Sequence, residues 1–143
     1  MSQQPARPYR ILVTGSRDWP DEQTIHVALA EVVSVIPADR DITIVHGGCG
    51  KGADRIAHRW ARQYGAAVEV HYADWNIGRA AGPIRNRTMV NLGADVCLAF
   101  IHGRSRGASH CAHIAKLAGI PVRRWEQPGG PVPQPRATPL DEP

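Results

Sequence analysis

The sequence predicts an α/β fold, a doubly wound sheet of five parallel strands in the order 3-2-1-4-5 with helices on both faces. Two observations carry this. Short apolar runs alternate with segments of helical periodicity from Arg10 to Trp125, the pattern of crossover units that lay helices over a parallel sheet. Glycines also stand close after the first, second and fourth apolar runs, at Gly15, Gly47 and Gly103, on the edge where such sheets bind ligands.

The elements follow in turn. Arg10–Thr14 reads as the first strand. Ile25, Ala28, Leu29, Val32, Val33 and Ile36 recur at helical spacing, and Pro37 ends that helix. Ile42–His46 is the second strand, and Ala53, Ile56, Ala57, Trp60, Ala61 and Tyr64 mark a helix that stops at Gly65. Val68–Tyr72 is the third strand. Pro83 suits the first position of a helix running to Leu92. Asp95–Ile101 is the fourth strand, a helix spans Ala108–Ala118, and Ile120–Trp125 is the fifth strand. The expected domain is 9–126, between a flexible start (1–8) and a disordered tail (127–143) that holds six of the twelve prolines.

Composition excludes several classes. At 143 residues with 43% hydrophobic content, the chain suits one domain with a real core. No apolar run reaches the roughly 18–20 residues of a membrane span. Met1–Pro5 lacks the apolar centre of a secretory signal, and Cys49, Cys97 and Cys111 are odd in number and scattered. A reduced, cytoplasmic setting is expected, with no membrane partner. The net charge of +4 is modest and no block of five basic residues occurs, so nucleic acid is not the expected partner. The arginines are placed locally: Arg79, Arg85, Arg87, Arg104 and Arg106 fall in glycine-containing connections or at helix starts, where they suit a bound anion.

The motif richest in chemistry is Gly47-Gly48-Cys49-Gly50-Lys51-Gly52, between a buried strand and a helix that carries Asp54 in its first turn. Closely spaced glycines let backbone approach a ligand, and a helix N-terminus offers free N–H groups and partial positive charge. Lys51 is followed by Gly52 rather than Ser or Thr, and position 45 is Val. The loop is therefore not a Walker loop, nor does it have dinucleotide-binding spacing. A tight turn, with Asp54 complementing the helix dipole, is the plainer alternative.

Gly15-Ser16-Arg17 offers a hydroxyl and a guanidinium to a phosphate. Trp19 is read either as a base-stacking ring or as a cover over the sheet edge, and Ser16 or Asp21 as a helix cap. Around Pro83, Arg79, Arg85, Asn86 and Arg87 form a basic helix start. Arg87 alone fits a solvated face. His102-Gly103-Arg104-Ser105-Arg106-Gly107-Ala108-Ser109 makes a second glycine loop, with Ser109 also able to cap its helix. His110, Cys111 and His113 lack metal-ligand spacing; neither a metal nor a cofactor is expected. The ligand-binding set is thus Gly15, Ser16, Arg17, Trp19, Gly47, Gly48, Gly50, Lys51, Gly52, Asp54, Arg79, Arg85, Asn86, Arg87, His102, Gly103, Gly107 and Ser109, with Asp54 and Asp74 as weak catalytic candidates.

Gly15-Ser16-Arg17, the Gly47–Asp54 loop with Trp60-Ala61, Ala73-Asp74-Trp75 and Ala81-Gly82-Pro83-Ile84-Arg85-Asn86-Arg87-Thr88-Met89 together resemble the SLOG superfamily, in its YspA-like branch, over most of residues 10–123. The resemblance implies a Rossmann-like fold and a nucleotide or nucleotide-derived ligand. It implies kinship to cytokinin-activating phosphoribohydrolases, to a DNA-loading protein of natural transformation and to nucleotide-sensing modules of bacterial and phage conflict systems. Dimers are frequent among such relatives. The phosphoribohydrolases carry a catalytic Glu in a Pro-Gly-Gly-x-Gly-Thr-x-x-Glu loop, and Cys111 stands at that position here. Three readings stay open. The first is a binding protein for a nucleotide, ADP-ribose-like or sugar-phosphate ligand, acting as sensor, carrier or sequestering protein. The second is a nucleoside 5'-monophosphate N-glycosidase, and the third a nucleic-acid-binding module. The missing Glu favours the first.

Overall fold

The computed structural model describes residues 7–127. Five strands and four helices alternate: β1 (Tyr9–Gly15), α1 (Glu22–Ser34), β2 (Ile42–His46), α2 (Gly52–Tyr64), β3 (Ala67–Val70), α3 (Ala81–Leu92), β4 (Val96–His102), α4 (Arg106–Leu117) and β5 (Val122–Gln127), with a 3-10 turn at Trp75–Ile77. All pairings are parallel, in the order β3-β2-β1-β4-β5, as the sequence predicts. The flexible start and proline-rich tail fall largely on 1–6 and 128–143, outside the described residues.

The sheet separates two apolar layers. On one face Ile11, Val13, Ile44, Leu98 and Phe100 meet Ile25, Ala28 and Leu29 of α1 and Ala53, Ala57 and Ala61 of α2. On the other, Leu12, Val45 and Cys97 meet Met89 and Val90 of α3 and Cys111 and Ala115 of α4, and Ala99 and Ile101 meet Ala108 and Ala112. Successive residues of β1 therefore serve opposite layers, which is why its centre reads as an unbroken apolar run.

Element ends depart from expectation where tertiary pairing decides them. β3 stops at Val70 rather than Tyr72, because its one partner, β2, ends at His46, paired with Val70. α3 begins at Ala81, two residues before Pro83. The N–H groups of a first helical turn have no partner within the helix, so Pro83 removes no bond there. α1 ends at Ser34, since the residue before Pro37 is driven from the helical region. α4 begins at Arg106, ahead of Ala108, so Ser109 lies inside the helix and its N–H donates to the Ser105 carbonyl. The N-cap of α1 is Asp21, whose carboxylate accepts from the Thr24 N–H at 3.2 Å.

Gly52 fixes how α2 meets the sheet edge. Its φ is +64°, and a Cβ there would collide with the Ser16 carbonyl oxygen. Gly50 has open space around it. Gly52→Ala should therefore lower unfolding free energy by about 2–4 kcal/mol, from left-handed strain plus overpacking. Gly50→Ala should stay within about 0.5 kcal/mol of wild type. Urea unfolding of the two variants measures the difference.

Candidate functional site

The strands' carboxyl ends open into a cleft of about 1170 Å³. Its walls come from four connections and three helix starts. Gly15 ends β1 and Ser16–Asp18 follow it, Gly47–Gly50 follow β2, Tyr72, Ala73, Trp75 and Arg79 follow β3, and Arg104 and Ser105 follow β4, with Arg106 and Gly107 opening α4. The starts of α2, α3 and α4 contribute Asp54, Gly82 and Ala108.

Ser16 joins these parts. It is buried, and its N–H donates to the Phe100 carbonyl at 2.9 Å. Its carbonyl accepts from the Trp19 and Ala53 N–H groups, each at 3.2 Å. Its hydroxyl oxygen accepts from the His102 N–H at 2.7 Å, and the hydroxyl lies 3.4 Å from the His102 carbonyl. The hydroxyl expected to meet a phosphate is thus engaged in joining β1 to β4. His102 also places Nδ1 3.0 Å from Asp18 Oδ2, a close approach without hydrogen-bond geometry.

The first glycine loop is stabilised from inside the protein. The Gly48 N–H donates to His46 Nδ1 at 3.0 Å, and the Cys49 N–H to Asp54 Oδ2 at 3.2 Å. This pattern assigns the His46 proton to Nε2, which donates to His58 Nδ1 at 2.9 Å. Asp54 is buried, and its carboxyl pKa is pushed up to about 6 by desolvation, against the Cys49 N–H, the Arg85 charge and the Gly47 N–H. Burial, with His58, Arg85 and His71 nearby, holds His46 down at about 4. Both groups cost energy to charge where they stand.

Arg85 and Asn86 brace the opposite wall. Arg85 Nη1 donates to the Gly47 and His71 carbonyls, and its Nε to Asn86 Oδ1 at 2.9 Å. Asn86 Nδ2 donates to the Gly107 carbonyl at 3.2 Å. The two neighbours therefore link α3 to the β2 and β3 connections and to the first turn of α4. Arg17, Arg79, Arg104 and Arg106 line the cleft with exposed side chains. Its lining carboxylates are Asp18 and Asp54.

Of the residues expected to meet a ligand, Gly15, Ser16, Arg17, Gly47, Gly48, Gly50, Asp54, Arg79, Arg85, Asn86, His102 and Gly107 line the cleft. Six stand elsewhere. Trp19 lies in the core, edge-on to Phe100 at 5.5 Å, with Nε1 donating to the Asp21 carbonyl; the apolar layer under α1 claims the ring. Lys51, Gly52 and Gly103 belong to the cleft's loops but not to its lining, and Ser109 sits within α4. Arg87 projects to solvent from α3, one residue past the inward-facing Asn86. Asp74 caps the 3-10 turn, accepting from the Asn76 N–H, and does not line the cleft. Tyr72, Trp75 and His110 line it and were not in the expected set, and Arg104 and Arg106, read from the sequence as suiting a bound anion, line it too. Their position at and just after the end of the third apolar run, on the edge where such sheets bind ligands, was the available signal for the first two. Among the described residues, no three His, Cys, Asp or Glu side chains gather to hold a metal ion, and no helix is long and apolar enough to cross a membrane.

The two displaced pKa values generate opposing pH dependences. Between about pH 4 and 6 the folded chain keeps a proton on Asp54 that the unfolded chain has released, so this group costs stability as pH rises through that window. His46 acts in the opposite sense. The unfolded chain takes up a proton below about pH 6.5 that the folded chain refuses until about 4, so stability falls on acidification. Asp54→Asn keeps an acceptor for the Cys49 N–H and removes the first slope. The variant should gain on the order of 2–3 kcal/mol relative to wild type between pH 4 and 7.5, measured by urea unfolding at both pH values. An unchanged difference would contradict the burial-raised pKa.

Comparison with known proteins follows the same lines as the geometry. The model of the YspA, cpYpsA-related SLOG family matches residues 9–78. "Gene 61 protein" of Mycobacterium phage D29 is 51% identical over 119 residues, covering 79% of this chain and 93% of the phage protein. No solved structure matches significantly. With its parallel sheet, its glycine loops and a relative of that identity and coverage, the chain belongs to the YspA, cpYpsA-related SLOG family.

Proposed function

We propose that this chain binds a nucleoside phosphate or a nucleotide-derived ligand of the ADP-ribose kind, and that it acts by recognition rather than hydrolysis. The observation that carries the reading concerns helix N-termini. The start of α1 lies outside the cleft and has a side-chain cap, Asp21. The N-cap positions of α2, α3 and α4 are Lys51, Ala80 and Ser105, and none makes a side-chain cap bond. These three starts surround the cleft. Three dipole ends suit an anion; the Ala53 N–H of α2 and the Ala81 N–H of α3 already donate to the Ser16 and Gly78 carbonyls, which leaves the start of α4 as the best-furnished donor set, and four exposed arginines add to the same field.

Two observations favour recognition over turnover. At the position of the phosphoribohydrolases' catalytic carboxylate stands Cys111, fully buried among Leu12, Cys97 and Ala115. Burial pushes its thiol up to about 11, so it supplies neither a carboxylate nor a thiolate at neutral pH. The first glycine loop has also given two of its N–H groups to His46 and Asp54. In this reading the anion therefore falls to the start of α4 and to Arg17, Arg104 and Arg106, in the connections after β1 and β4. One specific observation favours the hydrolase alternative: Asp54, with its raised pKa, lines the cleft and has the acidity of a general acid.

Adenosine monophosphate, NAD and ADP-ribose should be compared by thermal unfolding and calorimetry. A ligand at about 100 times its Kd stabilises by roughly 2.7 kcal/mol, a rise of several degrees in Tm for a chain of this size. Replacing Arg104 and Arg106 together by Gln should weaken binding about ten-fold or more. An unchanged Tm with all three ligands at saturating concentration would remove the basis of the reading. Release of free base from nucleoside monophosphates, lost in Asp54→Asn, would replace it with the hydrolase.

A further inference from the structure

The aromatic residues divide unevenly between the core and the cleft. The chain has four Trp, three Tyr and one Phe. Trp19 meets Phe100 edge-on, and Phe100 stacks on Trp125 at 4.8 Å. Trp60 stacks on Tyr64 at 4.7 Å, and Arg40 lies over Tyr9. Tyr72 and Trp75 have no ring or guanidinium partner among the described residues. They are 76% and 57% exposed, and both line the cleft.

Each ring rests on a glycine. A Cβ built on Gly48, whose φ is +79°, would fall 2.5 Å from Tyr72 Cδ1. One built on Gly82 would fall 3.3 Å from Trp75 Cη2. The rings are therefore seated at two different walls, on the β2 connection and on the start of α3. Leaving two large rings exposed at a cleft mouth forgoes burial energy the fold would otherwise gain, unless a ligand covers them.

Sheet order gives the cleft a direction. Tyr72 and Trp75 follow β3, Arg17 follows β1, and Arg104 and Arg106 follow β4. Strands lie about 4.8 Å apart, so β3 and β4 are separated by three steps, about 14 Å. One end of the cleft offers flat apolar faces with a single guanidinium, Arg79, beside them, and the other gathers Arg17, Arg104 and Arg106. Arg85 lies between them, with Nη1 occupied by the Gly47 and His71 carbonyls.

We infer that Tyr72 and Trp75 form a ring-binding subsite, and that a nucleoside phosphate lies along the cleft with its base at the β3 end and its phosphate toward Arg17, Arg104 and Arg106. This rests on the nucleotide-binding reading above and adds the ligand's orientation and the source of its base affinity. A base stacked on exposed aromatic side chains gains affinity with little base selectivity, because every base presents a π-face. The subsite therefore accepts purine and pyrimidine nucleotides alike, while a sugar phosphate without a base engages only the cationic end.

Calorimetric titration with adenosine monophosphate and ribose 5-phosphate tests this on the full chain, on Trp75→Ala and on Trp75→Phe. Wild type should bind the nucleotide more tightly than the sugar phosphate. Trp75→Ala should lose about ten-fold or more for the nucleotide and under about two-fold for the sugar phosphate. Trp75→Phe should restore most of the nucleotide affinity. Adenosine monophosphate should also quench wild-type tryptophan emission, and Trp75→Phe should bind without that quench. Equal losses for both ligands, or no loss for the nucleotide, overturn the subsite while leaving the anion-binding reading in place. A wild-type chain that binds neither ligand overturns both.

Discussion

The cleft depends on the hydrogen bonds of one buried residue. Ser16 stands where β1 ends and the chain order of the sheet reverses. Its N–H and hydroxyl hold β4, through Phe100 and His102, and its carbonyl holds the first turn of α2 through Ala53. Gly52 lets α2 come that close. A parallel sheet parts its loops at this point, because neighbouring strands send their helices to opposite faces. Ser16 closes the floor of the opening without filling it. A hydroxyl in this position reads from the sequence as a ligand donor, and the structure spends it on backbone instead.

The same economy governs the glycine loop. Its glycines bring backbone donors close together, and the protein answers two of them with its own side chains, Asp54 and neutral His46. A carboxylate held there, facing Arg85, already occupies the place of an anion. The arginines that remain exposed belong mostly to the other connections. Charge in the cleft is therefore graded across the sheet edge, with a self-satisfied loop after β2, aromatic faces and one exposed guanidinium, Arg79, after β3, and three exposed guanidinium groups after β1 and β4. Family membership fits a nucleotide-related ligand, and this gradient is where the chemistry of such a ligand would be read.

The elements legible in the sequence were those whose signal is local. Ile42–His46 was readable to the residue because all five positions are buried. The helices through Ile25 and Ala57 followed from apolar spacing, and Gly65 was readable as a left-handed stop, with φ 93°. Boundaries set by a partner were not readable: β3 ends where β2 ends, and Ser105 rather than Ser109 precedes α4. In the site, the glycine positions and Arg85-Asn86 were legible because their spacing around a strand–helix junction is itself the signal. Trp19 and Trp75 show the limit. Both follow strands in glycine-containing connections, yet one is 4% exposed and the other 57%.

By itself, the sequence determined the α/β class, the strand order and the edge on which a site must lie. Periodicity, glycine placement and the handedness of crossovers are properties of the chain and of short segments of it. Tertiary structure alone decided which polar groups still face the cleft. That outcome depends on what lies across from each group: the His102 backbone takes the Ser16 hydroxyl, the Cys49 N–H takes Asp54, and Phe100 takes Trp19. These partners are five to 86 residues away in the chain, and no local pattern specifies them. What the packing leaves without a partner among the described residues, two rings with Arg79 at one end and three guanidinium groups toward the other, is what the cleft has to offer a ligand.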